Sequence, residues 1–205
     1  VWLNEITREN LISDLLKRDA GQKRDMIVYE GNKPVFLQDN PAYKSATNRA
    51  RPISAKVWLG GAMAIKEDTF ATLRQASASN LLIVGQQDET TTNMIASSLH
   101  SLEAQYKRNG ALFTLLDGTP ADSTHANVLN EVASAMDFDV KMIGVREVEE
   151  AMGDIYAELQ KRMKDGITDA PTVFLMINAM HRFRDLRRDE NDYGFSTGDE
   201  EQAKT

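Results

Sequence analysis

Apolar residues recur along this chain in two rhythms, and the alternation between them predicts the elements. Leu3, Ile6, Leu11, Leu15 and Leu16 fall at mostly helical spacing among charges, so residues 2–18 are expected to form a helix. A short strand is expected at Met26–Tyr29, followed by a turn at Gly31-Asn32. Val35–Leu37 reads either as a strand or as a loop entering Asn40-Pro41, and residues 44–56, polar and basic with Pro52, read as a connector. Residues 56–66 place two apolar runs about Gly60-Gly61, a pair that accepts the positive φ of a tight turn, so a hairpin is expected there.

Leu81–Val84 is a continuous apolar run, the pattern of a strand buried on both faces. From Thr92 to about Lys107, Ile95, Leu99, Leu102 and Tyr106 share one helical stripe. Ala111–Leu116 repeats the buried-strand pattern and ends in Asp117-Gly118. A helix over 122–136 and a short strand at Val140–Ile143 follow. Residues 145–164 give the clearest helix, because Val148, Met152, Ile155, Leu159 and Met163 recur every three or four positions; such a stripe is expected in a core. Pro171 breaks the chain before the third apolar strand, Thr172–Ile177. From about Asp189 the sequence is acidic and polar, and disorder is expected.

Strands alternating with helices imply an α/β fold with a mostly parallel sheet and flanking helices. Ligands of such sheets sit outside the carboxyl ends of the strands. The loops after Val84, Leu116 and Ile177 are therefore where chemistry is sought.

Composition narrows the class. The chain has 205 residues, 41% hydrophobic and 27% charged, enough for one full core. It has no Cys, which removes disulfides and thiolate metal sites and fits a cytoplasmic location. No apolar run approaches the roughly 18–20 residues of a membrane span. The net charge of −7 argues against a broad electrostatic grip on nucleic acid. Arg182, Arg184, Arg187 and Arg188 are interleaved with Asp185, Asp189, Glu190 and Asp192, the mixture of a solvated helix end. The chain opens directly into a helical pattern without Met, so it reads as a piece of a longer protein.

The stretch Asn80-Leu81-Leu82-Ile83-Val84-Gly85-Gln86-Gln87-Asp88-Glu89-Thr90-Thr91-Thr92 carries the most specific signal. Strand, Gly, loop, helix is the context of the phosphate-binding loop G-x-x-x-x-G-K-[ST]. Gly85 matches the first Gly and Thr92 the hydroxyl that holds Mg²⁺. Thr90 replaces the second Gly, and Thr91 replaces the Lys that reaches the β and γ phosphates. Asp88 and Glu89 add negative charge where a triphosphate would lie.

The strand at 172–177 carries a concordant change. Hydrolytic motors of this class end such a strand in an Asp that holds Mg²⁺, often followed by a Glu that activates water. Here Asn178 has the shape without the charge, and Ala179 cannot polarise water. Asp117, at a strand end beside Gly118, reads as a turn residue with a local hydrogen bond or as a ligand-facing group. His100, His125 and His181 are too scattered to argue a metal site or a triad.

In serial order these segments resemble the motor domain of the FtsK/SpoIIIE family, within the HerA/FtsK group of additional-strand ATPases. The carrying residues are the hairpin Trp58–Ile65, the strand and loop from Ser79 to Gly85 with its helix, Leu112–Asp117, a helix ending in Glu158-Leu159-Gln160-Lys161-Arg162, and Val173–Ile177. The likeness spans about residues 56–188, with 1–55 as a preceding helical and connector segment and 189–205 as a tail. It implies a P-loop NTPase-like sheet and a ring or tandem array with other ATPase domains of one motor. DNA or a secreted protein would be the translocated substrate, with no membrane segment in this piece. It further implies that Gly85–Thr92 is the phosphate loop, that Thr92 and Asn178 stand at the metal-binding positions, and that ATP and Mg²⁺ are the ligands. The family sheet inserts a further strand between the phosphate-loop strand and the metal-binding strand, so the fold is expected to be incomplete at its C-terminus.

The departures at Thr91, Asn178 and Ala179 point to a degenerate site and a structural or regulatory role. Two alternatives stand beside it. One is an ATPase still active in a ring whose neighbours supply the missing charges. The other is a protein-interaction module that binds through the acidic Asp88-Glu89 loop and takes no nucleotide.

Overall fold

The computed structural model describes residues 3–19, 34–49, 51–62 and 67–186. The chain divides into two units, 1–33 and 34–205. The expected strand at Met26–Tyr29, the turn at Gly31-Asn32 and the tail from Asp189 lie outside the described residues.

The first unit contributes helix α1, Glu5–Arg18. Its start is fixed by Asn4, whose side chain accepts from the Thr7 N–H at 2.8 Å. Glu5 in the first turn and Lys17 and Arg18 in the last complement the helix dipole.

In the second unit, of the two readings of Val35–Leu37 the loop holds rather than the strand: a single 3₁₀ turn, Leu37–Asp39, leads into the short helix α2, Pro41–Lys44. Asn40 explains the switch: its side chain caps α2 by accepting from the Tyr43 N–H at 2.9 Å, with Pro41 preset at the first helical position. Strands β1, Ser54–Gly60, and β2, Thr69–Arg74, form an antiparallel pair. A hairpin is thus present, with Thr69–Arg74 as the strand that pairs with β1, and residues 63–66 of the expected second run lie outside the described residues. This register sets the Trp58 and Phe70 rings opposite each other across the ladder, which a tight turn at Gly60-Gly61 would not do.

Helix α3, Asp88–Glu103, packs against β1. Ala55 and Val57 point into a core with Leu99, Leu102 and Tyr106. Gln105 seals the free edge of β1: its amide accepts from the Lys56 N–H at 2.9 Å and donates to the Lys56 carbonyl at 2.6 Å, as a neighbouring strand would.

The main sheet has three parallel strands in the order β4-β3-β5, with β3 Ala111–Asp117, β4 Val140–Ile143 and β5 Thr172–Asn178. Period-two alternation sorts their side chains. Phe113, Leu115, Val140, Met142, Phe174 and Met176 join the face shared with α3 and with α4, Val128–Ala135. Leu116, Ile143 and Ile177 point the other way, to α5, Val148–Asp165, through Val148, Ala151 and Met152. Successive helices on opposite faces are what right-handed crossovers require when the chain steps from β3 out to β4 and then back across to β5.

Three expectations shift. Helix α4 begins at Val128 rather than 122, because Pro120 and Ser123 capture the backbone in turns; the Ser123 hydroxyl accepts from the His125 N–H at 3.2 Å. The α5 stripe is core only in its first half, since Leu159 and Met163 are exposed. Leu81–Val84 forms no strand ladder, and Leu82 and Val84 are 79% and 88% exposed.

A 3₁₀ turn at Met180–Arg182 and a second at Arg184–Leu186 follow β5 and bury Phe183 completely. Gly118 lies under this turn. A Cβ there would sit 3.0 Å from both the Asn178 carbonyl oxygen and the Phe183 ring. Gly118→Ala is expected to destabilise the protein by about 1–3 kcal/mol, read as a lower urea midpoint, because it forces backbone apart where no flexible side-chain end can yield.

Candidate functional site

Side chains with chemistry gather where expected, at the carboxyl ends of the parallel strands, but their partners differ from those the sequence suggests. Residues 75–87 run without helix or strand from the end of β2 to α3. The Arg74 N–H donates to Ser79 Oγ at 2.7 Å and anchors the start of this run. Gln75 donates to Thr172 Oγ1 at 3.2 Å, and Arg51 bonds both Gln75 Oε1 and the Thr168 carbonyl, so the run begins beside the start of β5.

Helix α3 starts at Asp88, one turn before Thr91. The reason is electrostatic: Asp88 and Glu89 sit in its first turn, where carboxylates are stabilised by the helix dipole. The segment between Gly85 and the helix is thereby reduced to Gln86 and Gln87. Thr91 donates its hydroxyl back to the carbonyls of Gln87 at 3.1 Å and Asp88 at 3.0 Å, and Thr90 donates to Gln87 Oε1 at 3.1 Å. The Thr91 methyl lies 3.4 Å from where a Cβ on Gly85 would be, so the curl is closed on itself. Gly85 through Thr90 are exposed, whereas Thr92 is only 2% exposed.

Asn178 ends β5 opposite Asp117, the last residue of β3. It is 7% exposed. Its amide donates to Asp117 Oδ1 at 3.1 Å and to Thr119 Oγ1 at 2.9 Å. Asp117 Oδ1 also accepts from the Thr119 N–H at 3.0 Å and the Thr119 hydroxyl at 2.5 Å. The turn reading of Asp117 therefore holds, and a cross-strand bond to Asn178 is added to it. Ala179 follows in the left-handed conformation at φ 53°, which turns the chain sharply into the Met180–Arg182 turn.

These are poor surroundings for a Mg²⁺-bound triphosphate. No lysine or arginine stands on the 85–92 segment, its first helical turn already carries two carboxylates, Thr92 is enclosed, and the Asn178 amide presents its donor side to Asp117. Hydrogen bonds join Asp117, Thr119 and Asn178; among the described residues none joins residues 85–91 to that cluster.

Thr119, Asn127, Asn130 and Gly144 were not legible as site residues. With Asp117 they line a crevice at the carboxyl ends of β3 and β4. The Asp117-Gly118-Thr119 turn was a usable signal, but the other residues join it only through the strand order. No protein-family model, curated protein or solved structure matches this chain. Among the described residues no helix is long and apolar enough to cross a membrane.

Proposed function

We infer that residues 56–188 are an FtsK/SpoIIIE-like, P-loop NTPase-derived module whose nucleotide site is degenerate. It acts as a structural or regulatory part of a larger cytoplasmic motor, in a ring or tandem array with other ATPase domains that move DNA or a secreted protein. The observation that carries this reading is the state of Asn178. At the position where the resemblance expects a metal-binding carboxylate, a buried amide spends its hydrogens on Asp117 and Thr119. The loss of the Lys at Thr91 is matched by a hydroxyl folded back onto α3.

The order of elements supports the same reading. A hairpin precedes the 80–92 segment and its helix, β3 ends in Asp117, and α5 carries an ion pair between Arg162 and Glu158 at 2.7 Å before β5. Two apolar segments, Leu81–Val84 and the outer edge of β5, have no strand partner among the described residues. They fit a sheet whose plan puts another strand between them.

Titration of Mg²⁺-ATP into the chain by calorimetry tests the proposal. No saturable heat is expected up to millimolar nucleotide, and no phosphate release. Micromolar binding with steady turnover would overturn it in favour of a working ATPase.

A further inference from the structure

The crevice between the carboxyl ends of β3 and β4 is a topological switch point. The connection after β3 leaves toward the face that holds α4, and the connection after β4 leaves toward the opposite face, which holds α5. Loops that part in this way open a gap at the strand ends, the usual place for a ligand in an open α/β sheet. The gap here has a volume of about 340 Å³ and is lined by Asp117, Thr119, Asn127, Asn130, Met142 and Gly144 among others. That volume is within the range of small-molecule sites, about 300–1,000 Å³.

The side chains at its wall hold hydrogen-bonding capacity in reserve. Asp117 is half-buried, and all of its bonds go to Oδ1, from the Thr119 N–H, the Thr119 hydroxyl and the Asn178 amide. Its Oδ2 has no protein donor among the described residues. The carboxylate is thus locked in orientation by neutral donors with one oxygen left over, the arrangement of a preorganised acceptor. Asn127, at the start of α4, makes no capping bond with its side chain, and the Asn130 side chain one turn later is also unengaged. No Lys, Arg or His lines the gap, so its one formal charge is the Asp117 carboxylate and anions are disfavoured.

We propose that this crevice binds an uncharged ligand bearing a vicinal diol, such as the ribose of a nucleoside or a free sugar. The two adjacent hydroxyls donate to Asp117 Oδ2, and the Asn127 and Asn130 amides supply the donors and acceptors that a diol also needs. In dinucleotide-binding α/β sheets a carboxylate hydrogen-bonds the ribose 2′-hydroxyl in the same chemical way. Asn178, poor as a metal ligand, serves here as a positioning residue for Asp117. The proposal does not rest on the reading of residues 85–92.

The test is a two-dimensional amide NMR titration of the full chain with adenosine, with 2′-deoxyadenosine and with ribose. Adenosine is expected to move the signals of Gly118, Thr119, Gly144 and the side-chain amides of Asn127 and Asn130. Ribose moving the same signals identifies a free sugar as sufficient, and adenosine alone moving them identifies a nucleoside. Asp117→Asn turns the free acceptor into a donor, and Asn130→Ala removes an exposed amide without touching the core. Each is expected to weaken binding roughly tenfold or more while the remaining spectrum is preserved. No shifts with adenosine or ribose at tens of millimolar would overturn the proposal. So would equal binding of the 2′-deoxy compound, or an undiminished affinity in Asn130→Ala.

Discussion

Phe183→Ala is expected to cost about 3–5 kcal/mol, the range for emptying a fully buried aromatic site. Phe183 is 0% exposed and is the largest side chain in the core between the sheet and α5, with Leu116, Ile143, Val148 and Ala151 around it. Few neighbours can move in. Gly118 is backbone against the ring, and β3 and β5 are locked in register beneath it. Against a typical stability of about 5–15 kcal/mol, such a loss leaves a marginal fold. Urea unfolding followed by circular dichroism checks it, and a lower midpoint with an unchanged slope is expected. Phe183→Leu keeps most of the volume and should cost less than half as much. A loss below about 1 kcal/mol for Phe183→Ala would mean that the turn after β5 is not packed on the sheet. The placement of Asn178 and Gly118 beneath it would then fail too.

The same contrast between local pattern and partner explains what the sequence could convey. The strands β3, β4 and β5 were legible because short, mostly apolar segments of four to seven residues, bounded by Asp117-Gly118, Gly144 and Pro171, have few other solutions. Helix α5 was legible from its period; what ends it in the structure is Gly166, which takes the left-handed φ of 61° that closes a helix. Leu81–Val84 has the same pattern as β3, yet it is unpaired and open to solvent. An apolar run states a demand for burial; it does not state which strand meets it. The hairpin shows a second limit. Gly60-Gly61 permits a tight turn, but register is decided by which side chains meet across the ladder, and Phe70 and Leu73 lie outside the window that the turn suggested.

The candidate site divides along the same line. That Asp117 and Asn178 each end a strand was readable residue by residue. That they are neighbours depends on β3 and β5 being adjacent and parallel, with Asp117 opposite Asn178. The expected start of α3 at Thr92, which follows from its apolar stripe and the phosphate-loop pattern, falls one turn late, because that pattern counts Asp88 and Glu89 only as charges opposing phosphate. They are also good first-turn residues, and the helix begins with them. Both effects come from one interaction. The field that would draw a phosphate to the helix N-terminus draws these carboxylates instead.

Asn178→Asp is the substitution that separates an amide used for structure from a lost metal ligand. In the wild type the amide donates to Asp117 Oδ1 at 3.1 Å in a nearly enclosed position. The change removes both of its donated hydrogen bonds and sets a second carboxylate against the first. Loss of a hydrogen bond to a charged group is worth about 1.5–3 kcal/mol, and two carboxylates this close cannot both ionise without further cost. The variant is expected to be less stable by about 2–4 kcal/mol at pH 8. Its pH dependence follows from the sign of the coupling. One carboxyl of the pair has its folded pKa raised above the unfolded value, so the destabilisation is relieved below the unfolded carboxylate range and grows as pH rises through the raised value. Melting the wild type and the variant between pH 4 and 8 should therefore give curves that converge on the acid side, on the order of the unfolded pKa near 4. Magnesium gives the discriminating arm. If the site keeps the shape of a metal centre, millimolar Mg²⁺ restores the melting temperature of Asn178→Asp and leaves the wild type unchanged. If Mg²⁺ restores nothing at pH 8 while acid still does, the pair is a proton site alone and the likeness to a metal-binding strand end stops at its sequence.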